Sequence, residues 1–364
     1  MKKQAWLIGA ALFVCASGLG AENPWQAVAL PQPAPERALH GIAFADARHG
    51  WIVGAQGFCA ATTDGGAAWS LKETGSPATL RSVFFTEPAR GWIGGDGDVA
   101  GPSRGGIIHI VFTRPAHAGT LLRTRDGGAT WTNIWLPTNF EIPCLASTDK
   151  RLVVGTSAGS DHLDGDLIVY ELGKTRLFCS GYRSIFAVSP AGPEQWIAVG
   201  APVSVGFTPA PPSPLYKERN ARILRSRDDG KTWEPARGSE KRVNAGRCLR
   251  GLAVKAGKLA LAVGDGGEIL RSEDGGDAWE SVTSGTESGL TSVAWGDGPM
   301  VVAVGAKGTV LVSRDDGKTW AASTVPASPD LRALTCAGGQ FWAAGGNGVL
   351  LRARVADLAG DAAK

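Results

Sequence analysis

Apolar residues along this chain come in short runs of two alternating kinds. The first opens on leucine, a polar or small residue and then an aliphatic one: Leu39-His40-Gly41-Ile42, Leu80-Arg81-Ser82-Val83, Leu249-Arg250-Gly251-Leu252, Leu290-Thr291-Ser292-Val293 and Leu331-Arg332-Ala333-Leu334. Phe140-Glu141-Ile142-Pro143 and Tyr182-Arg183-Ser184-Ile185 are weaker members and bring the set to seven. The second kind follows each and ends in glycine: Trp51 to Gly54, Trp92 to Gly94, Val153 to Gly155, Ala198 to Gly200, Ala262 to Gly264, Ala303 to Gly305 and Ala343 to Gly345. Runs this short, bounded by turn residues, read as β-strands. The closing glycines are separated by 40, 61, 45, 64, 41 and 40 residues, so a unit near 40 recurs with two longer insertions.

Between the second strand of one unit and the first of the next, five units carry one phrase, S/T-x-D-x-G-x-T/A-W. Its copies are Thr62 to Trp69, Thr124 to Trp131, Ser226 to Trp233, Ser272 to Trp279 and Ser313 to Trp320. Such a phrase suits a hairpin turn joining a third strand to a fourth. Aspartate (Asp64, Asp126, Asp228, Asp274, Asp315) accepts backbone N–H bonds, glycine supplies positive φ, and tryptophan (Trp69, Trp131, Trp233, Trp279, Trp320) pins the turn. These acids are structural, since a catalytic acid is needed once. Four strands per unit and seven units predict an all-β, seven-bladed β-propeller of antiparallel blades.

The seventh unit ends at Leu350 to Ala353 without a phrase, so its fourth strand must come from elsewhere. Residues 24–30, from Pro24 through Trp25 to Leu30, resemble a fourth strand and are expected to pair with 348–354, closing the ring.

An up-and-down blade places the start of its first strand, its second-to-third turn and the loop to the next blade on one face, here called the top. The aspartate phrases fall on the bottom. All four long connections, Asp96 to Gly119, Thr156 to Gly165, Ala201 to Asn220 and Gly238 to Arg247, fall on top, where variable loops carry binding. The same slot of the first strands holds Arg81, Arg183, Arg250 and Arg332, with His40, Glu141 and Thr291 in the other units and Arg247 nearby. A positive ring at the channel mouth follows, suited to an acidic protein segment or a carboxylate through two-point guanidinium contacts.

Composition adds a cellular setting. Lys2-Lys3, the apolar run Ala5 to Val14 and small residues through Ala21 read as a secretory signal over 1–21, leaving a single propeller over 22–356 and a tail over 357–364. The mature protein is expected to be exported, periplasmic or extracellular (lumenal in a photosynthetic organism), monomeric and without an integral membrane segment. Net charge falls from +3 by two to about +1 when Lys2 and Lys3 leave, which favours no nucleic acid. Five mature cysteines, Cys59, Cys144, Cys179, Cys248 and Cys336, lack a CxxC and read as small strand residues, not a disulfide framework or zinc site.

With Leu-Arg at first strands, the Gly50-Trp51 and Gly91-Trp92 openings and seven units, the chain resembles the photosystem II assembly and stability factor family of Asp-box (BNR-type) propellers. That resemblance implies a non-catalytic, exported or lumenal protein that binds a protein partner, such as a membrane-protein assembly intermediate, through an arginine-bearing surface. It implies no cofactor. By motif slot the surface maps to Arg81, Arg183, Arg250 and Arg332. Blades three and seven depart from the pattern in lacking the phrase.

Rival chemistry is carried by fewer residues. A sialidase-like or other glycoside hydrolase, or a carbohydrate-binding propeller, would draw on the arginines, on Tyr182 as nucleophile, and on Glu141, Asp96, Asp98 or Asp265 as acids. Gly155-Thr156-Ser157-Ala158-Gly159 fits G-x-S-x-G but runs into a propeller turn where a nucleophile elbow enters a helix. Gly230-Lys231-Thr232 and Gly317-Lys318-Thr319 lack the earlier glycine of a phosphate loop. Asp161, Asp164 and Asp166 form a weak calcium candidate, against which no metal is expected.

Overall fold

Strand propensity and turn spacing produce the predicted architecture. The computed structural model describes residues 23–32, 37–97, 119–134, 136, 141–148, 150–157, 165–171, 174–182, 184–201, 222–237, 247–255, 258–326 and 329–360. Among them, 28 strands form seven antiparallel groups of four. The inner strands, blade one to blade seven, are Leu39–Phe44, Leu80–Glu87, Glu141–Ser147, Ser184–Gly192, Leu249–Lys255, Leu290–Trp295 and Leu331–Ala337. Each inner strand packs on the next, and that of blade seven packs on that of blade one. A bridge between Ser157, at the end of the second strand of blade three, and Ser184, at the start of the inner strand of blade four, also joins these two blades.

The fourth strand of blade seven is Gln26–Ala27, paired with Arg352 and Leu351. Val28 N–H extends the ladder to Leu350 O at 2.8 Å. Trp25 is buried among Met300, Val302, Phe341 and Leu351, while Val28 and Leu30 pack beside Trp69 and Trp342, so one segment touches the core on both sides of blade seven.

Second strands such as Gly50–Gly54 and Val301–Gly305 are buried along their whole length because a neighbouring blade covers each face. Their closing glycine is required by backbone approach. A Cβ on Gly54 or Gly95 would meet the carbonyl oxygen of Ala38 or Thr79 at 2.5 Å. The register pairs Leu80 with Gly95, not Gly94, which moves the glycine of blade two one position on from its place in the sequence pattern.

The expected tail is partly helical. Val355–Gly360 forms a helix, Leu358 is buried, and Arg314 Nε donates to Leu358 O at 2.9 Å. The signal segment 1–21 and the interiors of the four top connections lie outside the described residues.

Candidate functional site

The bottom turns are built as their sequence requires. Asp126 Oδ1 accepts Thr130 N–H at 2.9 Å and the Thr124 hydroxyl at 2.8 Å, and Asp126 Oδ2 accepts the Thr130 hydroxyl at 2.5 Å. Those bonds, the Thr130 hydroxyl's first, hold the Asp126 carboxyl down to about 2. Asp64, Asp228, Asp274 and Asp315 each accept the equivalent backbone bond, from Ala68, Thr232, Ala278 and Thr319. With every acid committed to its own turn, the bottom face presents tied-off carboxylates.

At the top, each inner strand starts with a one-residue bulge. Leu39 pairs with Gly54 and Gly41 with Val53, which leaves His40 as the extra residue turned out of the ladder. Arg81, Arg250, Thr291 and Arg332 occupy the same bulge in blades two, five, six and seven.

Blades three and four correct the sequence reading. Ile185 pairs with Gly200 and Ala187 with Val199, so Phe186 is the bulge residue of blade four and Arg183 is not. Tyr182 ends the outer strand Lys174–Tyr182 of blade three, three residues before Ile185, which takes the leucine slot of blade four. In blade three Glu141 pairs with Ser157 and Cys144 with Gly155. Fully buried Ile142 then takes the leucine's place and Pro143 the bulge, with Glu141 one step outside it. The slots therefore read His40, Arg81, Pro143, Phe186, Arg250, Thr291 and Arg332. Arg183 itself lies outside the described residues.

The ring is mixed in charge, not uniformly positive. Arg81 holds Asp96 by two contacts, Nε to Oδ1 and Nη2 to Oδ2 at 2.8 Å, with Glu141 Oε2 at 3.7 Å from Nη2. Burial first, and then Asp96, raise the Glu141 carboxyl, against the pull of Arg81. Arg250 Nε lies 2.6 Å from Asp265 Oδ1, and its guanidinium stacks 5.2 Å from the Phe186 ring centre. Burial would raise Asp265, but Arg250 and Cys248 N–H, at 3.0 Å, hold it low. Thr291 turns inward to donate to Leu331 O at 2.6 Å. Arg332 is exposed, with Nη1 3.3 Å from His40 Nδ1. Burial, then Arg332 and Arg81, push His40 down to about 4, so its imidazole is neutral near pH 7.

Arg247 stands apart from this ring. It lies over Gly266 and borders a cleft of ≈ 440 Å³ with Glu268, Ser284, Thr286 and Glu287, on the outer side of blade five. Beside it, buried Arg222 makes a two-point pair with Glu268, Nη1 to Oε2 at 2.5 Å and Nη2 to Oε1 at 2.7 Å, linking blades four and five. The signal was in the sequence: Arg222 and Glu268 each precede Ile-Leu-Arg-Ser in consecutive units.

Other candidates are placed as follows. Ser157 Oγ shares a hydrogen bond with Ser184 Oγ at 2.9 Å within paired strands. Asp161, Asp164 and Asp98 lie outside the described residues, and Asp166 falls in the strand Gly165–Glu171. Cys59, Cys144, Cys248 and Cys336 form no disulfide, and the first two are buried. Among the described residues no His/Cys/Asp/Glu cluster fits a metal ion, and no helix is long and apolar enough to cross a membrane.

Sequence and fold comparisons point the same way. The family model for the photosynthesis system II assembly factor YCF48 matches residues 19–100. The photosystem II assembly lipoprotein Ycf48 of Synechococcus sp. (strain CC9902) is 26% identical over 316 residues, 77% of this chain and 86% of that protein. The structure of YCF48 bound to D1 peptide superposes with a TM-score of 0.63 at 21% identity, over 91% of this chain and 97% of that one. YCF48 from Cyanidioschyzon merolae gives a TM-score of 0.63 at 22% identity, over 91% and 99%. At these identities the structural likeness establishes a shared propeller fold. The resemblance to the photosystem II assembly and stability factors thus holds in sequence and in architecture.

Proposed function

We propose that this chain is an exported, non-enzymatic propeller that holds a protein segment against its top face, as an assembly or accessory factor. The observation that carries this reading is the likeness, over nearly the whole chain, to a YCF48 propeller bound to a D1 peptide. The partner is then a segment of a membrane-protein assembly intermediate, and the face is the one bearing Arg81, Arg250, Arg332 and His40. Residues 1–21 act as the export signal and 22–356 as one monomeric binding unit.

A binding role suits the acids of this face better than hydrolysis does. Asp96 and Asp265 are engaged by Arg81 and Arg250, and Glu141 lies 3.7 Å from Arg81. Glycoside hydrolysis needs one free acid and one nucleophile or base at a set separation.

Charge reversal at Arg81, Arg250 and Arg332 is expected to abolish capture of a D1 peptide while leaving the β-sheet circular dichroism unchanged. Capture that survives in a folded variant refutes the docking face. Turnover of an aryl-glycoside panel that Glu141→Gln abolishes would instead establish the hydrolase.

A further inference from the structure

The three described arginines of the mouth differ in what already occupies their donors. Arg81 and Arg250 each direct two N–H groups at both oxygens of a carboxylate of their own blade, Asp96 and Asp265. A guanidinium so engaged keeps three N–H groups, but its charge is already balanced by the aspartate, which would also repel a ligand carboxylate. Arg332 is exposed, and among the described residues its only polar side-chain neighbour is His40.

That neighbour also donates. Arginine has no acceptor, so the 3.3 Å contact requires His40 Nδ1 to accept, which puts the imidazole proton on Nε2. The seam between blades seven and one therefore carries the remaining guanidinium N–H groups of Arg332 and one imidazole N–H, with no carboxylate among the described residues to receive them. Charged groups facing His40 are Arg332 from blade seven and Arg81 and Asp96 from blade two. Since Asp96 is held by Arg81, the uncompensated charge at this point is that of Arg332.

We infer that a single carboxylate of an acidic peptide segment is accepted at Arg332 and His40, where the last blade meets the first, while Arg81 and Arg250 serve to order the mouth. This inference rests on the protein-docking reading above and narrows it to one position. It breaks the pseudo-sevenfold equivalence of the ring: the ligand has one orientation, with its acid at the seam.

The test uses the full mature chain and fluorescence anisotropy with a fluorescein-labelled peptide of glutamate and serine, alongside the same peptide with glutamine. Arg332→Gln is expected to lose at least about tenfold in affinity, the worth of a charge-assisted two-point contact. Simply removing Arg81 or Arg250 would leave a bare aspartate that repels the probe. The paired replacements Arg81→Gln/Asp96→Asn and Arg250→Gln/Asp265→Asn avoid this and are expected to stay within about twofold. Equal losses in all three variants, or retained affinity in Arg332→Gln, would overturn the seam assignment while leaving a docking face in place. Wild-type protein that does not prefer the glutamate peptide overturns both readings. Melting curves identify any variant that fails to fold, and His40→Ala, with an expected loss of several-fold, provides a second probe of the same position.

Discussion

Ring closure by the N-terminal segment is open to a quantitative test at Trp25. Its side chain is 2% exposed and packs with Met300, Val302, Phe341 and Leu351. Truncating a buried tryptophan to alanine costs about 3–5 kcal/mol. A propeller of roughly 330 residues, at ~2.1 cal/mol/K of unfolding entropy per residue, has a slope near 0.7 kcal/mol/K, so Trp25→Ala should lower Tm by about 4–7 °C. Deleting residues 23–30 also removes the pairing with Arg352 and Leu351 and bares the strand Leu350–Arg354, so a larger fall and concentration-dependent association are expected. Gln26→Ala, at an exposed position of the same strand, serves as the control and should shift Tm by no more than about 1 °C. Scanning calorimetry gives all three values. A Trp25→Ala melt indistinguishable from the Gln26→Ala melt would refute the role of this strand in closing the ring.

Gly66 has φ +84°, and a Cβ there would lie 2.6 Å from Trp342 Cζ2, so Gly66→Ala should cost about 2–4 kcal/mol in urea unfolding. Gly75→Ala, at φ +72° with open space around it, should cost only about 1 kcal/mol, and equal costs would remove the packing argument. Asp126 titrates in the folded state near 2, below the roughly 3.9 of an unfolded aspartate, so its stabilisation is complete above that value and fades as pH falls towards 2. The Tm gap between wild type and Asp126→Asn should therefore be present at neutral pH and close in strong acid; a gap constant with pH contradicts the assignment. Burial pushes the Cys59 and Cys144 thiols up to about 12, so iodoacetamide at pH 8 should modify half-exposed Cys248 well before either, as read by peptide mass spectrometry.

Where the local pattern and the register agree, the sequence was legible to the residue. Blades one, five, six and seven keep leucine opposite glycine, and the residue after that leucine, which the pattern aligns, is the bulge residue of each. In blades three and four the anchor is isoleucine, at Ile142 and Ile185, and the following residue is Pro143 or Phe186 in place of a polar one. Tyr182-Arg183 imitates Leu-Arg three residues early, so a pattern search lands one strand off. Register is set by pairing across the ladder, which residue spacing alone does not encode. The charge of the mouth was misjudged for a related reason. Asp96 and Asp265 sit 15 residues after the arginines that they neutralise, and only the fold brings them together. His40 adds no charge to the mouth, because burial and two guanidinium groups hold its imidazole neutral.

The third residue before each closing glycine explains both the aspartate phrase and its absence. In blades seven, one, four and five that residue is Trp342, Trp51, Ile197 and Leu261, and it lies against the glycine at the fifth position of the next blade's phrase: Gly66, Gly128, Gly276 and Gly317. In blade three Val169, at 3.2 Å, and Val153, at 3.9 Å, together face the Cβ position of Gly230. Trp51 also donates to Gly127 O at 3.1 Å. The phrase is therefore a clamp between blades as much as a turn, and glycine is needed because the neighbour's side chain fills the space a Cβ would take. Blades three and seven lack it, so the residues before them must be covered by other means. Trp92 of blade two is covered by Tyr170, ring centres 5.9 Å apart, and by Arg123 at 5.1 Å. Val302 of blade six shares its core cluster with Leu358 of the C-terminal helix, which Arg314 anchors. Five phrases, one aromatic pair and one helix thus perform the same packing task at seven interfaces. The helix and the N-terminal segment meet at blade seven: Leu358 and Trp25 pack at its interface with blade six, while Val28 and Leu30 pack at the seam with blade one that bears Arg332 and His40.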